Sequence, residues 1–290
     1  ILPNLYNYIL EQSKNFSQEA LNRHAATMRM RGRPKVVLAR TYEEAQKLYD
    51  KYSDNTLGVI SDARFPLKSA AKAFGNEVMP EEKPKHRTDT FGREKCPDAG
   101  LQLFRYIRKN DPFVPLIIES SESENRAKAE AEGFRFVDKN SKKMSVDLRR
   151  LMEEHMGFGD FIFRDPKTHE EIMRIHSLKE LQDNIFNIPN DSMLYHISRN
   201  HMSRWLCARA IFPVSAFLKH VTWEKLQDVD AHRQIIFDAI VQYRHMKNIG
   251  VVAVFDRMKF DRYAHFARIG EGCLGGKGRG LAVLDYIIKR

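Results

Sequence analysis

The sequence predicts an α/β protein: a doubly wound parallel sheet, then a mainly helical domain, then the opening of a second α/β unit. Three observations carry this reading. Short apolar runs alternate with helical patterns from about residue 35 to 150, and strict alternation of that kind implies parallel strands with helices on both faces. Beyond about residue 157 the patterns turn mostly helical, and from about residue 248 an apolar run leads to a glycine-rich loop and a last helix. A chain of 290 residues is long enough for about two domains with packed cores. The boundaries are set at 1–156, 157–247 and 248–290.

The opening, "ILPNLYNYILEQSKNF", has neither an initiator Met nor a basic n-region. It reads as a chain entered partway, within a helix, and not as a signal peptide. "KVVLAR" (35–40) is the first strand candidate, and Ala45, Leu48 and Tyr52 recur at helical spacing after it. "TLGVISD" (56–62) is the second strand, "VPLIIESS" (114–121) the third and "FRFVDK" (134–139) the fourth. Between them lie helices at "AGLQLFRYIRK" (99–109) and "SENRAKAEAEG" (123–133), the second stopped by Gly133, and "SVDLRRLMEEHM" (145–156) closes the unit. Residues 67–97 are polar, charged and too long for a βα connection, so they form an insertion expected to be mobile. Because the unit opens on a helix, its first strand is expected to lie before Ile1.

In the second region "FGDFIFRD" reads as a strand and "DPKT" as a turn, followed by helices with Asp191 and Asp230 as N-caps. Within "YHISRNHMSRWLCARAIFP" (195–213), Leu194, Ile197, Trp205 and Leu206 form the expected core side, with Arg199, Arg204 and Arg209 outside. His196 and His201 are five apart and share no helix face, which argues against a metal there. "VVAVFD" (251–256) is the last strand candidate.

The totals narrow the function classes. No stretch approaches the roughly 18 apolar residues of a membrane span, so no membrane partner is expected. Cys96, Cys207 and Cys273 fit no zinc or disulfide spacing, which suits reduced thiols and a cytoplasmic location. The formal charge of +10 raises nucleic acid as a partner. Only "RMRGRPK" is densely basic, however, and a solvated helix end accounts for it, so nucleic acid is not expected.

Doubly wound sheets gather chemistry at the carboxyl ends of their strands. Asp62, Ser120 and Lys139 stand at three such ends. A carboxylate, a hydroxyl and an ammonium on one rim suit phosphoryl transfer to the carboxylate: Asp62 as nucleophile, Ser120 and Lys139 holding phosphoryl oxygens. The order Asp62-x-x-x-Pro66, Ala99-Gly100 opening a helix, Pro115 to Ser120, then Lys139 resembles the receiver domain of two-component response regulators. The resemblance covers roughly residues 1–150 and implies a flavodoxin-like fold. It also implies Asp62 as phospho-acceptor and Mg²⁺ ligand, Ser120 as switch hydroxyl, and a sensor histidine kinase as partner. The family's acidic pair, which ends the first strand and holds part of the Mg²⁺, has no counterpart here, and the insertion falls directly after the acceptor.

Near the end, glycines at 270, 272, 275, 276, 278 and 280 surround Lys277. "GEGCLG" formally matches G-x-G-x-x-G, but the chain ends before the acid that a dinucleotide site needs about 20 residues on. Glu271 and Gly278 stand where a Walker A loop needs Gly and Ser or Thr, and Lys277 replaces the valine of a kinase glycine loop. What remains is a backbone open to an anion, with Lys277 and Arg279 supplying charge ahead of a helix N-terminus. Gly275, Gly276, Lys277, Gly278 and Leu281 resemble the start of the nucleotide-binding domain of phosphoenolpyruvate synthase and pyruvate phosphate dikinase. That resemblance implies an ATP-grasp-like domain whose body lies beyond Arg290, with Gly275, Gly276, Lys277, Gly278 and Arg279 on the ATP phosphates. It further implies that this chain is part of a larger phosphotransferase, in which a receiver-like and a helical domain precede the ATP domain. The alternative is a stand-alone response regulator with a helical DNA-binding output.

Overall fold

The computed structural model describes residues 2–20, 22–68, 93–223, 228–257, 261–270, 272 and 274–289. Two helices come first, α1 (Leu2–Ser17) and α2 (Arg23–Arg31), the second capped by Asn22, whose Oδ1 accepts from Ala25 N at 2.9 Å. The chain divides into two compact units, Lys35–Met156 on one side and Leu2–Pro34 with Gly157–Arg290 on the other. The two opening helices therefore belong to the second unit.

The first unit runs α3 (Tyr42–Tyr52), β1 (Val59–Asp62), β2 (Phe65–Pro66), β3 (Lys95–Cys96), α4 (Ala99–Asn110), β4 (Leu116–Ser120), α5 (Glu124–Ala131), β5 (Arg135–Asp138) and α6 (Met144–His155). Thr41 starts α3 by accepting from Glu44 N at 3.2 Å, and the Glu44 carboxylate reaches back to Arg40 N at 2.8 Å. Such reciprocal capping satisfies donors that a helix start leaves open. β1, β4 and β5 form a parallel sheet in the order β1-β4-β5, with Asp62 opposite Glu119 and Ser120 opposite Asp138. β4 is buried at every position, as expected of a central parallel strand. Leu116 and Ile118 pack against Phe104 and Ile107 of α4, and Ile117, on the alternate side, is fully buried too. Gly133 (φ +74°) ends the α5 segment where the sequence placed the stop.

One expectation about the sheet needs correction here. Residues 35–40 form no strand: they have no ladder partner, and Val37 and Leu38 stay 57% and 56% exposed. Apolar composition does not make a strand without a neighbouring edge, and among the described residues β1 pairs only with β4. The sheet thus has three strands where four were expected. Most of the 67–97 insertion, residues 69–92, lies outside the described residues. Its two ends meet as an antiparallel β2–β3 pair, Phe65 opposite Cys96.

The second unit adds to α1 and α2 the antiparallel pair β6 (Phe161–Arg164) and β7 (Glu171–Ile175), then α7 (Leu178–Asn184), α8 (Asn190–Ser198), α9 (His201–Ala208), α10 (Phe212–His220) and α11 (Val229–Asn248). A parallel pair, β8 (Val252–Val254) and β9 (Phe266–Arg268), and α12 (Gly276–Lys289) follow. Its core joins Phe163, Leu181, Ile185, Trp205, Ile236 and Ile240. β7 was not foreseen, because "EEIMRI" carries only a short alternation. Asp191 and Asp230 sit inside first turns; the N-cap positions belong to Pro189 and Asp228. Ile197, Trp205 and Leu206 are buried as expected, but Arg204 and Arg209 are buried too and Leu194 is 41% exposed. The helix breaks at Asn200, which takes a left-handed φ of 55°, so residues on either side do not share one helical wheel. No helix among the described residues is long and apolar enough to cross a membrane.

Candidate functional site

The carboxyl ends of β1, β4 and β5 place the predicted rim residues as neighbours. Asp62 ends β1, Ser120 ends β4, and Lys139 follows the last residue of β5, its N–H held by Ser120 O at 2.9 Å. The Lys139 ammonium meets Asp62 Oδ1 in an ion pair, across 77 residues of sequence. Asp62 remains half exposed and Lys139 partly so, which leaves the second carboxylate oxygen room for a ligand. Gly100 explains how α4 comes so close to this rim: a Cβ there would lie 2.4 Å from Asp62 O. Gly100 N donates to Ala63 O at 3.0 Å instead.

Ser120 is at the rim, but its hydroxyl faces α5. Its Oγ accepts from Asn125 Nδ2 at 2.9 Å and from Glu122 N at 3.1 Å, an arrangement that starts the helix. A hydroxyl that accepts both bonds still has its proton to donate. Around it, Arg64 pairs with Glu122 at 3.1 Å and Asn140 donates to Ser121 O at 2.8 Å.

Sequence reading passed over Glu119. It stands opposite Asp62 in the parallel register, so the two side chains leave the sheet on the same face. Glu119 is 4% exposed, and its Oε1 has no hydrogen-bond donor among the described residues. Burial pushes its carboxyl pKa up; Lys139 pulls it down in part, and the Asp62 charge raises it again. The signal was visible: one acid inside an otherwise apolar strand, "LIIES".

The glycine-rich segment is shorter as a loop than expected. α12 begins at Gly276, so Lys277, Gly278 and Arg279 belong to its first turn, while Gly275 precedes it and accepts from Arg279 N at 3.2 Å. Lys277 and Arg279 are exposed. A Cβ on Gly270, Gly272, Gly275, Gly276 or Gly280 would meet nothing within 4 Å, so packing does not account for these glycines. At Gly278 a Cβ would press on Leu274 at 2.6 Å.

The two histidines of the helical region do meet, against expectation. His196 Nδ1 lies 3.0 Å from His201 Nδ1, because the Asn200 break turns α9 back toward α8. His196 Nε2 accepts from Arg164 N at 3.0 Å, so the proton of this neutral ring sits on Nδ1 and His201 is the acceptor. Burial, with the nearby Arg164 and Arg199 charges, lowers the His196 pKa to about 4. With every ring nitrogen of His196 engaged inside the protein, the pair is architecture. Among the described residues, no group of three or more His, Cys, Asp or Glu is placed to hold a metal.

Comparison with known proteins adds no relative: no protein-family model, no curated protein and no solved structure matches this chain.

Proposed function

We propose that this chain is the N-terminal regulatory segment of a phosphoenolpyruvate synthase-like phosphotransferase. Lys35–Met156 acts as a receiver-like domain with Asp62 as phospho-acceptor, the helical region acts as a connector, and Gly275 to Arg279 open an ATP-grasp-like nucleotide-binding domain. The observation that carries the reading is the Asp62–Lys139 ion pair at the carboxyl ends of parallel strands. An Asp62 oxygen attacks the phosphorus of a phosphohistidine or a small acyl phosphate. The P–N or P–O bond to the donor breaks, the donor leaves with its electron pair, and Asp62 becomes an acyl phosphate. Lys139 offsets the charge of the transferred group. A Mg²⁺ ion at Asp62 would supply further charge compensation there. The lower half of the reading rests on glycines that packing does not require and on the exposed Lys277 and Arg279 beside them. ATP binding at that place awaits the rest of the nucleotide domain.

The test is chemical. The chain is incubated with acetyl phosphate and Mg²⁺, and intact mass is read before and after hydroxylamine, which cleaves acyl phosphates. One phosphoryl group per chain, lost to hydroxylamine and absent in Asp62→Asn, is the expected result. No incorporation, or incorporation that survives Asp62→Asn, overturns Asp62 as acceptor.

A further inference from the structure

A histidine with both ring nitrogens bonded inside the protein is architecture, as at His196. His265 is held at one nitrogen. It lies just before β9, and its Nδ1 meets Asp285 Oδ2 of α12 at 3.1 Å. Gly250 N donates to the same carboxylate oxygen at 3.1 Å, and Lys289 reaches Oδ1 at 2.6 Å. Bonds from Lys289 and His265 hold the Asp285 carboxyl down to about 2, so it is ionised at neutral pH. Lys289 Nζ also lies 3.2 Å from His265 Nδ1, but its shorter contact is with Asp285. A bare Nδ1 would set its lone pair against the carboxylate, so the ring proton sits on Nδ1. Nε2 then carries the lone pair. Among the described residues Nε2 has no hydrogen-bond partner, and the side chain is 22% exposed. Gly250 and Lys289 already serve both Asp285 oxygens, so the bond from His265 orients the ring more than it secures the carboxylate.

We propose that His265 is a phosphoryl-accepting site, with Nε2 as the nucleophile and Asp285 as the residue that positions it. This goes beyond the reading of Asp62 and does not depend on it. A reactive side chain held in one orientation by a neighbouring group is the general form of an activated nucleophile. No hydroxyl or thiol among the described residues bonds to the ring, so the part of nucleophile falls to the ring itself. Among the same residues no third ligand completes a metal site with it. Lys289 offsets the Asp285 charge, so the carboxylate does not turn an anionic donor away. The His245 ring stands beside the site, 5.9 Å between ring centres, and can offer a hydrogen bond to a phosphoryl oxygen. In the step, the Nε2 lone pair attacks phosphorus, the bond from phosphorus to the donor breaks, and the donor leaves with that electron pair. The ring is left with the phosphoryl group on Nε2, its proton on Nδ1 and a positive charge, which Asp285 answers.

The experiment uses the 290-residue chain carrying Asp62→Asn, so that the strand-end carboxylate takes no part. It is treated with phosphoramidate, a small donor with a P–N bond, and the labelled positions are mapped by peptide mass. His176, whose Nδ1 meets Asp160 at 3.0 Å but which is 59% exposed, serves as the internal reference. The expected result is one phosphoryl group on His265, lost in mild acid and kept in alkali, added at least about tenfold faster than at His176. His265→Gln should abolish it. Asp285→Asn should slow it at least about tenfold, and Asp285→Glu, which keeps a carboxylate near the ring, should recover part of the rate. Far-ultraviolet circular dichroism confirms that each variant is folded, and the comparison with His176 stands even where a variant is not. Labelling of His265 no faster than of His176 overturns the site. An undiminished rate in Asp285→Asn, or no recovery in Asp285→Glu, overturns Asp285 as the positioning residue. Each of these failures leaves Asp62 as acceptor untouched.

Discussion

Both units of this molecule bury titratable side chains, and they differ in how far each is answered. In the helical unit most of the buried charge is answered, although Arg209 Nε, Arg233 Nε and His232 Nδ1 have no partner among the described residues. Arg209 lies between the Phe16 ring at 4.2 Å and the Trp205 ring at 4.0 Å, and its terminal nitrogens donate to Gly157 O at 2.7 Å and Gly159 O at 2.8 Å. Arg244 donates to Gln182 Oε1 at 2.6 Å and pairs with Asp261 at 2.9 Å. His196 is locked by Arg164 N and His201. In the sheet unit Glu119 is buried as deeply, and its Oε1 meets no donor among the described residues. A buried polar group that is answered helps to specify a fold, and an atom left unanswered costs stability.

If the helical unit is architecture, breaking it should cost stability and leave the sheet rim alone. Trp205→Ala has the largest expected effect, a loss of about 4 kcal/mol. It removes a fully buried ring, its Nε1 bond to Gly159 O at 3.1 Å, and one wall of the Arg209 sandwich. Urea unfolding of the second unit, followed by Trp223 fluorescence, measures it. A loss under about 1 kcal/mol would show that the Trp205 cluster does not hold the unit together.

His196 gives the next effect, and its sign is fixed by linkage. Its folded pKa of about 4 lies below the ordinary 6.5, so the unfolded chain binds more protons between those values. The unit is therefore fully stabilised above pH 6.5 and loses stability as pH falls toward 4, by about 3 kcal/mol in all. His196→Gln should flatten that part of the stability profile. An unchanged acid limb in the variant would assign the loss to other groups.

The sequence was a good guide where local pattern decides. Alternation found β1, β4, β5 and the helices between them, and the rule of strand ends found Asp62 and Lys139 although 77 residues separate them. It failed where a distant partner decides. Residues 35–40 look like a strand, but strand formation needs an edge to pair with, which composition does not report. Arg209 looked like a surface residue because charge on a helix is usually solvated. Its burial depends on Phe16, far away in the sequence, and on two glycine carbonyls. The His196–His201 contact was hidden by one left-handed residue, Asn200, which ends helical phase. Glu119 was legible and was passed over, since an apolar run invites counting its members more than asking about its one exception.

The smallest effect sharpens the comparison most, because it separates pairing from burial at the rim. The Asp62–Lys139 pair is partly exposed, so Lys139→Met should change stability at neutral pH by less than about 1 kcal/mol. Its larger consequence passes to Glu119. The folded pKa of Glu119 is raised by burial, and Lys139 is the first of the charges that pull it back. A raised carboxyl binds more protons folded than unfolded, so its contribution to stability falls as pH rises above the ordinary value of 4.5. Removing Lys139 lets Glu119 keep its proton to a higher pH, which extends that fall upward. Glu119→Gln removes the fall altogether. Urea midpoints of the sheet unit across pH 4 to 8 should therefore rank the three proteins in slope: Lys139→Met steepest, natural next, Glu119→Gln flattest. Equal slopes would mean that Glu119 is answered in solution after all, and the contrast between the two units would disappear.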